Sequence, residues 1–224
     1  PVYGPDESSP EMSLRLTVPV ELSLPLWRYT AALAGDPFAV LLDSALGVER
    51  RGRISYLCAD PAALLTARCA PGADSVGPDA PAVFGGPRPR PAIVTVTRFR
   101  QPTGEPGPAD PVATRTADPL GALREVSRAY GPVAAEDEAA PLGDFRQGLV
   151  GYFGYGCGHF CEALPPQVRS DPRVPDLAFI VADMVLAHDH RSGRSTLTVT
   201  GRGRDARAAR ADARTHSRRW ISRL

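Results

Sequence analysis

The chain has 224 residues, of which 43% are hydrophobic, and its formal net charge at pH 7 is +1. This length is enough for one domain with a sizeable core, and no uncharged apolar run reaches the roughly 18 residues that a membrane-spanning helix needs. The first residues also lack the basic start and the apolar stretch of a signal peptide. We therefore expect a cytoplasmic protein with no membrane attachment.

The amino-terminal region predicts a tail followed by a strand. Residues 1–12 precede the first patterned segment, so they are interpreted as a tail or an interdomain linker, and residues 13–224 are interpreted as one domain. Apolar and other side chains alternate over residues 14–20, which is typical of a half-buried strand. Pro19 favours the edge of a sheet, because proline has no N–H to donate.

A helix and a pair of strands are predicted next. Ser23 can accept backbone N–H bonds as the N-cap of a helix that Gly35 ends. Short apolar runs at residues 38–42 and 53–58 flank the polar turn 47–52, which favours two paired strands. The apolar face of the helix is predicted to contain Leu26, Tyr29 or Thr30, and Leu33.

The middle of the chain predicts loops, one strand and a helix. Proline and glycine are dense in residues 70–90 and 101–117, so we expect loops there, with a strand at residues 92–99 between them. Asp118 is expected to cap a helix, and Gly131 is expected to end it.

The last part of the chain predicts a strand, a hairpin and a terminal helix. Residues 148–155 form a glycine-rich strand, and the β-like runs 177–187 and 195–200 flank the turn 190–193, which is typical of a hairpin. Small and apolar residues recur every three or four positions in residues 206–224, which predicts a docked helix. Strands with interspersed helices predict an α+β fold with a mainly antiparallel sheet.

One cluster of cysteine and histidine suggests a metal site. Cys157, His159 and Cys161 could offer ligands, with His188 and His190 completing the set, but the spacing matches none of the usual zinc knuckles. We instead expect Cys157 and Cys161 to be small apolar fillers, and we expect no metal in this chain. The four cysteines are too few for a disulfide framework, so their thiols are expected to be reduced.

The carboxy-terminal region is strongly basic. Residues 191–224 contain ten arginines and two aspartates, which permits a nucleic-acid hypothesis. The alternative is that these arginines form the solvated side of the docked helix, and we prefer it, so we expect no nucleic-acid partner.

No catalytic motif is present in the sequence. It contains no Walker-type loop, no His-Glu-x-x-His and no G-x-S-x-G. Glycines crowd one segment without forming a dinucleotide-binding motif, and we interpret them as sites of close backbone approach in a strand. These glycines are Gly148, Gly151, Gly154, Gly156 and Gly158.

Two groups of motifs occur in a recognisable order. The first is Pro37-Phe-Ala-Val-Leu-Leu-Asp-Ser44, followed by Gly52-Arg-Ile-Ser-Tyr-Leu-Cys-Ala-Asp-Pro61. The second consists of Phe145-Arg-Gln-Gly-Leu-Val-Gly-Tyr-Phe-Gly-Tyr155, Glu162-Ala-Leu-Pro165, Val174-Pro-Asp-Leu-Ala-Phe179 and His188-Asp-His190. Together they resemble the amino-terminal domain of the chorismate-binding synthases, which include component I of aminodeoxychorismate synthase and of anthranilate synthase.

This resemblance implies a fold and a division of labour. The fold is the first half of an α/β/β/α arrangement, in which orthogonally packed antiparallel sheets are flanked by helices. The chorismate and magnesium sites belong to the absent second half, so this chain is expected to have no catalytic residue and no cofactor. Gly156 and His159 depart from the family, which often has an acidic residue and an arginine there, so an expected ion pair is missing.

The resemblance also implies a partial pocket for tryptophan at Asp43, Ser44 and Arg53. A carboxylate and a hydroxyl can receive an ammonium group, and an arginine can pair with a carboxylate. The alternative is that Asp43 and Ser44 only turn the chain after a strand.

For the intact protein, the resemblance implies an aminodeoxychorismate synthase. Such an enzyme combines chorismate with ammonia from a glutamine amidotransferase subunit or fused domain, and gives 4-amino-4-deoxychorismate for p-aminobenzoate and folate biosynthesis. This chain would supply scaffold and a regulatory pocket beside its own carboxy-terminal chorismate-binding domain, and would be inactive alone. The alternatives are the equivalent domain of anthranilate synthase, in tryptophan biosynthesis, and a non-catalytic module that binds an aromatic amino acid.

Overall fold

A computed structural model describes residues 12–33, 38–44, 52–70, 92–100, 106–116, 118–131, 133–162, 171 and 173–224. The strands are β1 (Met12–Val20), β2 (Val40–Leu42), β3 (Ile54–Cys69), β4 (Ala92–Arg100), β5 (Pro106–Thr116), β6 (Ala134–Asp137), β7 (Gly148–Phe153), β8 (Leu177–Asp189) and β9 (Ser195–Gly203). The helices are α1 (Leu26–Ala32), α2 (Pro119–Ala129), α3 (Gly158–Cys161) and α4 (Ala206–Ile221), with a 3-10 turn at Tyr155–Cys157. None of the helices in these ranges is long and apolar enough to cross a membrane.

All nine of these strands belong to one hydrogen-bonded sheet. Their order is β5-β4-β3-β8-β9-β1-β6, with β2 added to β3 and β7 added to β8. Among the described pairs, β1 and β6 are parallel and the others are antiparallel. The predicted α+β class with a mainly antiparallel sheet is therefore confirmed.

The two longest strands, β3 and β8, divide this sheet into two halves. Their register shifts between Pro61 and Ala63, next to Asp60, which has a positive φ of 52°. On one side of the shift, β2 and β9 flank the β3–β8 pair, and on the other side β4 and β7 flank it. Each half thus has its own neighbours, although β3 and β8 pair with each other on both sides of the shift.

Each half of the sheet carries its own helices and its own core. The first core joins α1 and α4 to strands β1, β3, β8 and β9, and the second joins α2 and Phe160 to β3, β4 and β8. The largest fully buried side chains include Trp220, Leu57, Leu65, Leu177, Met184, Leu186 and Leu197. Burying such side chains stabilises a fold by about 1.5 to 3 kcal/mol each. A third, smaller cluster contains Cys58, Val150, Ile180, Ala182 and Val185.

Helix α4 docks on the sheet as the periodicity predicts. Ala209 and Ala213 are fully buried, and a Cβ placed on Gly201 of β9 would lie 2.2 Å from the Ala209 carbonyl oxygen. Only small residues on both sides allow this close approach. The arginines of the helix, namely Arg207, Arg210, Arg214, Arg218 and Arg219, are exposed, which confirms the docked-helix interpretation.

The start of α1 differs from the prediction. The N-cap position is Pro25 and no side chain caps the helix, so Ser23 is not the N-cap. Instead, the backbone N–H groups of Ser23 and Leu24 donate to the Tyr29 hydroxyl, at 3.1 and 3.2 Å. The Tyr29 hydroxyl, which lies one turn inside the helix, satisfies these two N–H groups. A Ser23 cap is then not needed, and the helix begins later, at Leu26.

Other parts of the first region follow the sequence pattern. Leu26, Tyr29 and Leu33 are buried, which confirms the apolar face of α1. Strands β2 and β3 pair with Leu42 opposite Tyr56, as expected. Gly35, residues 1–11, most of the turn 47–52 and most of the predicted loop 70–90 lie outside the described residues.

Strand β5 contradicts the loop predicted for residues 101–117. It pairs with β4 along most of its length, although it contains Pro106, Pro108 and Pro111. Because β5 is the last strand on its side of the sheet, its prolines can lie where no ladder hydrogen bond is needed. Proline density therefore indicated an edge strand here and not a loop.

Strand β1 is an edge strand over only part of its length. The short strand β6, which the sequence did not predict, pairs with Leu14 to Thr17 on the side opposite β9. Pro19 lies beyond the end of β6, where β1 pairs with β9 alone. The proline thus marks the open segment, whereas the prediction for the whole strand is wrong.

The remaining predictions in the second half hold closely. The Asp118 carboxylate accepts the Gly121 N–H at 2.7 Å, so Asp118 caps α2, which begins at Pro119. Strands β8 and β9 form the predicted hairpin, and Gly193 in its turn has a φ of 68°, a conformation that favours glycine.

Candidate functional site

Four strand ends meet at one end of the sheet. Strand β2 ends at Leu42, β3 begins at Ile54, β8 ends at Asp189 and β9 begins at Ser195. Ile54 lies opposite Asp189, and Ser195 lies opposite His188. We call the polar side chains gathered here the strand-end cluster: Asp43, Ser44, Arg53, Ser55, His188, Asp189, His190 and Ser195.

Ser55 is the centre of this cluster. Its side-chain oxygen lies 2.8 Å from Asp43 Oδ1, 2.7 Å from His190 Nε2 and 2.9 Å from the Ser44 backbone nitrogen. Ser55 is fully buried, whereas Asp43 and His190 are exposed. The buried Ser55 hydroxyl therefore contacts two side chains, Asp43 and His190, that reach the surface. The sequence analysis missed Ser55, although it lies between Arg53 and Tyr56 in the first quoted motif.

Ser44 is fixed against the first residue of β3. Its hydroxyl donates to the Ile54 carbonyl oxygen at 2.8 Å, and its N–H donates to Ser55. Because its one hydroxyl hydrogen is used within the protein, Ser44 can act toward a ligand as an acceptor. An acceptor beside the Asp43 carboxylate suits an ammonium group.

Arg53 pairs with Asp189 of β8. Arg53 Nε lies 2.9 Å from Asp189 Oδ1, and Nη2 binds the other carboxylate oxygen. Asp189 is 1% exposed and also accepts the Arg191 N–H and the Ser192 hydroxyl. The Arg53 hydrogen bonds hold the pKa of this carboxyl well below its usual range.

This ion pair limits what Arg53 can offer a ligand. Its side chain is 54% exposed, but the Nε hydrogen and one Nη2 hydrogen are engaged with Asp189, so the Nη1 hydrogens and the second Nη2 hydrogen are left to meet a ligand carboxylate. Arg53 therefore holds the β8–β9 turn as well as facing the site. Asp189 was not singled out from the sequence, although it stands between His188 and His190.

The two histidines belong to this cluster and not to a cysteine site. Their rings meet edge to face with centroids 4.9 Å apart, and His188 Nδ1 lies 2.8 Å from the Ser195 hydroxyl. Burial, followed by the neighbouring His190, lowers the pKa of His188. Among the described residues, no group of three or more His, Cys, Asp or Glu is placed to hold a metal ion.

The cysteines have separate environments. The Cys157 thiol donates to the Asp176 carbonyl oxygen at 2.8 Å and packs partly against the second core, whereas Cys161 is exposed, so the filler prediction is wrong for Cys161. Cys58 is fully buried, and burial raises the pKa of its thiol to about 12. All four cysteines are free thiols.

The glycine-rich segment is shaped by Asp176 and its neighbours. A Cβ on Gly151 would lie 2.0 Å from the Ala178 carbonyl oxygen, and a Cβ on Gly156 would lie 2.0 Å from Asp176 Oδ1. Asp176 Oδ2 accepts the Cys69 N–H at 2.9 Å. Close backbone approach in a strand is thus confirmed at Gly151, whereas the space beside Gly156 is taken by the Asp176 side chain. An acidic residue at position 156 would meet another carboxylate, which gives a physical reason for the glycine.

The exposed face of α4 is the second surface with a marked chemical character. A shallow depression of about 340 Å³ is lined by Arg207, Arg210, Ala211, Arg214, Thr215 and Arg218. Arg210 binds Glu136 of β6, and the Arg210 hydrogen bond lowers the pKa of that carboxyl. These arginines form the solvated side of a packed helix.

The proteins with similar sequences include both of the synthases that the motifs resemble. No protein-family model matches the sequence. Anthranilate synthase component 1 of Streptomyces coelicolor is 34% identical over 103 residues, which cover 46% of this chain and 18% of that protein. Aminodeoxychorismate synthase component 1 of Escherichia coli is 28% identical over 192 residues, which cover 83% of this chain and 34% of that protein.

A further relative supports the same assignment. Aminodeoxychorismate synthase component 1 of Klebsiella aerogenes is 27% identical over 179 residues, which cover 77% of this chain and 32% of that protein. The chain thus spans no more than about a third of the length of these relatives. The similarities confirm the resemblance seen in the motifs, and they relate this chain to component 1 of the aminodeoxychorismate and anthranilate synthases.

Proposed function

We propose that this chain is the amino-terminal scaffold and regulatory domain of an aminodeoxychorismate synthase component I. The observation that carries this proposal is the extent of the similarity. It covers 83% of the chain for the Escherichia coli aminodeoxychorismate synthase component 1, against 46% for the Streptomyces coelicolor anthranilate synthase component 1. The quoted motifs span residues 37–190, and a similarity that covers 83% of the chain is long enough to include most of that span. The motifs and the extent of the similarity therefore support the same proposal.

In this proposal the intact protein performs the chemistry. A carboxy-terminal chorismate-binding domain holds chorismate and magnesium, and a glutamine amidotransferase subunit or fused domain supplies ammonia. The product is 4-amino-4-deoxychorismate, the precursor of p-aminobenzoate. The fold of this chain then serves as the first half of the α/β/β/α arrangement, with its two-part sheet as the scaffold.

The regulatory part of the proposal rests on the strand-end cluster. The exposed Asp43 carboxylate and the Ser44 oxygen are acceptors for a ligand ammonium, and Arg53 Nη1 is a donor for a ligand carboxylate. These three groups match the charged end of an α-amino acid. Tryptophan is the ligand that we propose, with the indole covered in part by the other half of the intact protein.

An activity assay tests the scaffold role. The chain alone, given chorismate, ammonium and magnesium, is expected to convert no chorismate, because none of its residues matches the catalytic positions of the family that it resembles. Conversion above the uncatalysed rate would contradict this role. The gene region beyond the codon for Leu224 provides a second test. A continuation with a chorismate-binding domain supports the proposal, and its absence favours the non-catalytic amino-acid-binding module.

Anthranilate synthase is the second candidate. The observation that favours it is the 34% identity to the Streptomyces coelicolor protein, which is higher than the 28% identity to the Escherichia coli aminodeoxychorismate synthase, although it extends over fewer residues. Anthranilate formation eliminates pyruvate, whereas 4-amino-4-deoxychorismate formation does not. Pyruvate release during turnover of the intact protein would therefore select this candidate, and tryptophan would then act as feedback inhibitor.

A further inference from the structure

We propose that Ser55 and His190 are positioning residues for the ligand-binding pair Asp43 and Ser44. In this inference, which rests on the proposed amino-acid pocket, His190 donates through Nε2–H to Ser55, and Ser55 in turn holds the Asp43 carboxylate. Neither Ser55 nor His190 was predicted for this pocket, and His190 was considered only as a ligand of the rejected metal site. Their role follows from counting the hydrogens available at one buried oxygen.

The hydroxyl of Ser55 has three polar neighbours within hydrogen-bond distance. These are Asp43 Oδ1, the Ser44 backbone nitrogen and His190 Nε2. A hydroxyl supplies one hydrogen and two lone pairs, a backbone N–H can only donate, and a carboxylate can only accept. The Ser55 hydrogen must therefore go to Asp43. The two lone pairs then accept from Ser44 and from His190, which requires a hydrogen on His190 Nε2.

The opposite tautomer of His190 leaves this site one hydrogen short. With the hydrogen on Nδ1, Nε2 would be an acceptor and would compete with Asp43 for the single Ser55 hydrogen. One acceptor would then face a lone pair at 2.7 or 2.8 Å. Ser55 is fully buried, so solvent cannot compensate at its oxygen. The arrangement of the three neighbours thus selects the Nε2–H form.

The His190 ring is held from its other sides as well. It packs edge to face on His188, whose Nδ1 is bonded to the Ser195 hydroxyl, and its backbone N–H donates to the Arg53 carbonyl oxygen at 3.0 Å. The β8–β9 turn that carries His190 is fixed by the Arg53–Asp189 pair. An orientation set from several sides is what a positioning residue requires.

These contacts fix the orientation of the Asp43 carboxylate. One oxygen of Asp43 is bound to Ser55, and because the Asp43 side chain is exposed, its other oxygen can receive a ligand. Ser44 is bound to the same Ser55 oxygen through its backbone. Ser55 thereby sets the distance between the two acceptors that would share one ammonium group.

Nuclear magnetic resonance of the ¹⁵N-labelled full chain tests the positioning role without any ligand. The His190 ring is expected in the Nε2–H form when neutral, and Ser55→Ala is expected to shift it toward a mixture of both forms. A wild-type ring in the Nδ1–H form, or a tautomer unchanged by Ser55→Ala, would overturn the inference.

Calorimetry of the intact protein with tryptophan tests the effect on the ligand through a matched pair of variants at the exposed His190. Glutamine can place an N–H near the former Nε2, whereas asparagine places it near Nδ1. His190→Gln is expected to bind within about threefold of wild type, and His190→Asn about tenfold more weakly, the effect of one hydrogen bond. Equal affinities for both variants would overturn the inference. If wild type itself does not bind tryptophan, the proposed pocket fails, and the tautomer measurement still decides whether Ser55 and His190 position Asp43.

Discussion

Histidine and carboxylate side chains occur both in the strand-end cluster and at the junction between α4 and the sheet, but they have different roles in the two places. At the junction, His216 Nε2 lies 2.6 Å from Asp60 Oδ2, and Trp220 Nε1 donates to the same carboxylate oxygen at 3.3 Å. The His216 side chain is 1% exposed there, whereas at the strand-end cluster Asp43 and His190 reach the surface. A histidine–carboxylate network that is sealed docks an element, and one that opens to solvent can serve a ligand. Both networks contain the same residue types, so the solvent exposure of the side chains is what distinguishes their roles.

Breaking a sealed pair should have the largest effect on stability. Arg202 Nη2 lies 2.6 Å from Asp183 Oδ1, and the two side chains are 8% and 1% exposed. Asp183→Ala removes the buried carboxylate that accepts two hydrogen bonds from Arg202, so we expect a loss of about 3 to 5 kcal/mol in the free energy of unfolding, measured in urea. Arg173→Ala, which removes the exposed Arg173–Asp171 pair, is the control and should change nothing measurable. Similar losses for both variants would contradict the distinction between sealed and open pairs.

A medium effect is expected where the family's acidic residue is replaced by Gly156. Gly156→Ala places a Cβ against Asp176 Oδ1, and Gly156→Asp adds a second carboxylate there. We expect both to destabilise, by about 1 to 3 kcal/mol for alanine and more for aspartate. Thermal unfolding of the two variants checks this order. If Gly156→Asp were more stable than wild type, the missing ion pair, and not the space taken by Asp176, would be the constraint at this position.

The sequence predicted the fold well where local patterns agree with tertiary structure. The capped helix α2 and the docked helix α4 each combine a periodic core face with a clear start, and the β8–β9 hairpin has a glycine turn between two β-like runs. Strands β5 and β6 were missed for different reasons. The prolines of β5 are tolerated because it is an edge strand, and the four residues of β6 are held by pairing with β1, which no local pattern can show.

The sequence predicted individual residues of the site but not the contacts between them. The structure brings Asp43, Ser44 and Arg53 to the same end of the sheet, as the motif implied. Their partners Ser55 and Asp189 come from the register of β3 with β8, so they could not be found from spacing. The tryptophan pocket stays a prediction.

The smallest expected effect concerns pH and the open cluster. Burial lowers the pKa of His188 in the folded state, so the stability this residue contributes is complete above its ordinary pKa of about 6.5 and is lost as the pH falls through the folded pKa. Between about pH 7 and about pH 5, wild type should lose slightly more stability than His188→Asn, since the site is partly solvated. Asparagine keeps a polar group near Ser195 and does not titrate. Urea unfolding at both pH values gives the difference, and a larger pH-dependent loss in the variant would show that the sign is wrong.

The central claim is that the open strand-end cluster receives an amino acid at Asp43 and Ser44. Isothermal calorimetry of the intact protein with tryptophan, wild type against Ser44→Ala, tests it most directly. Removing the Ser44 hydroxyl takes away one acceptor for the ammonium group, so the affinity should fall by about 1 to 3 kcal/mol, or about five- to 150-fold. Asp60→Ala, in the sealed junction, is the matched control and should leave the affinity unchanged while lowering stability. Equal tryptophan affinity for wild type and Ser44→Ala would contradict the account.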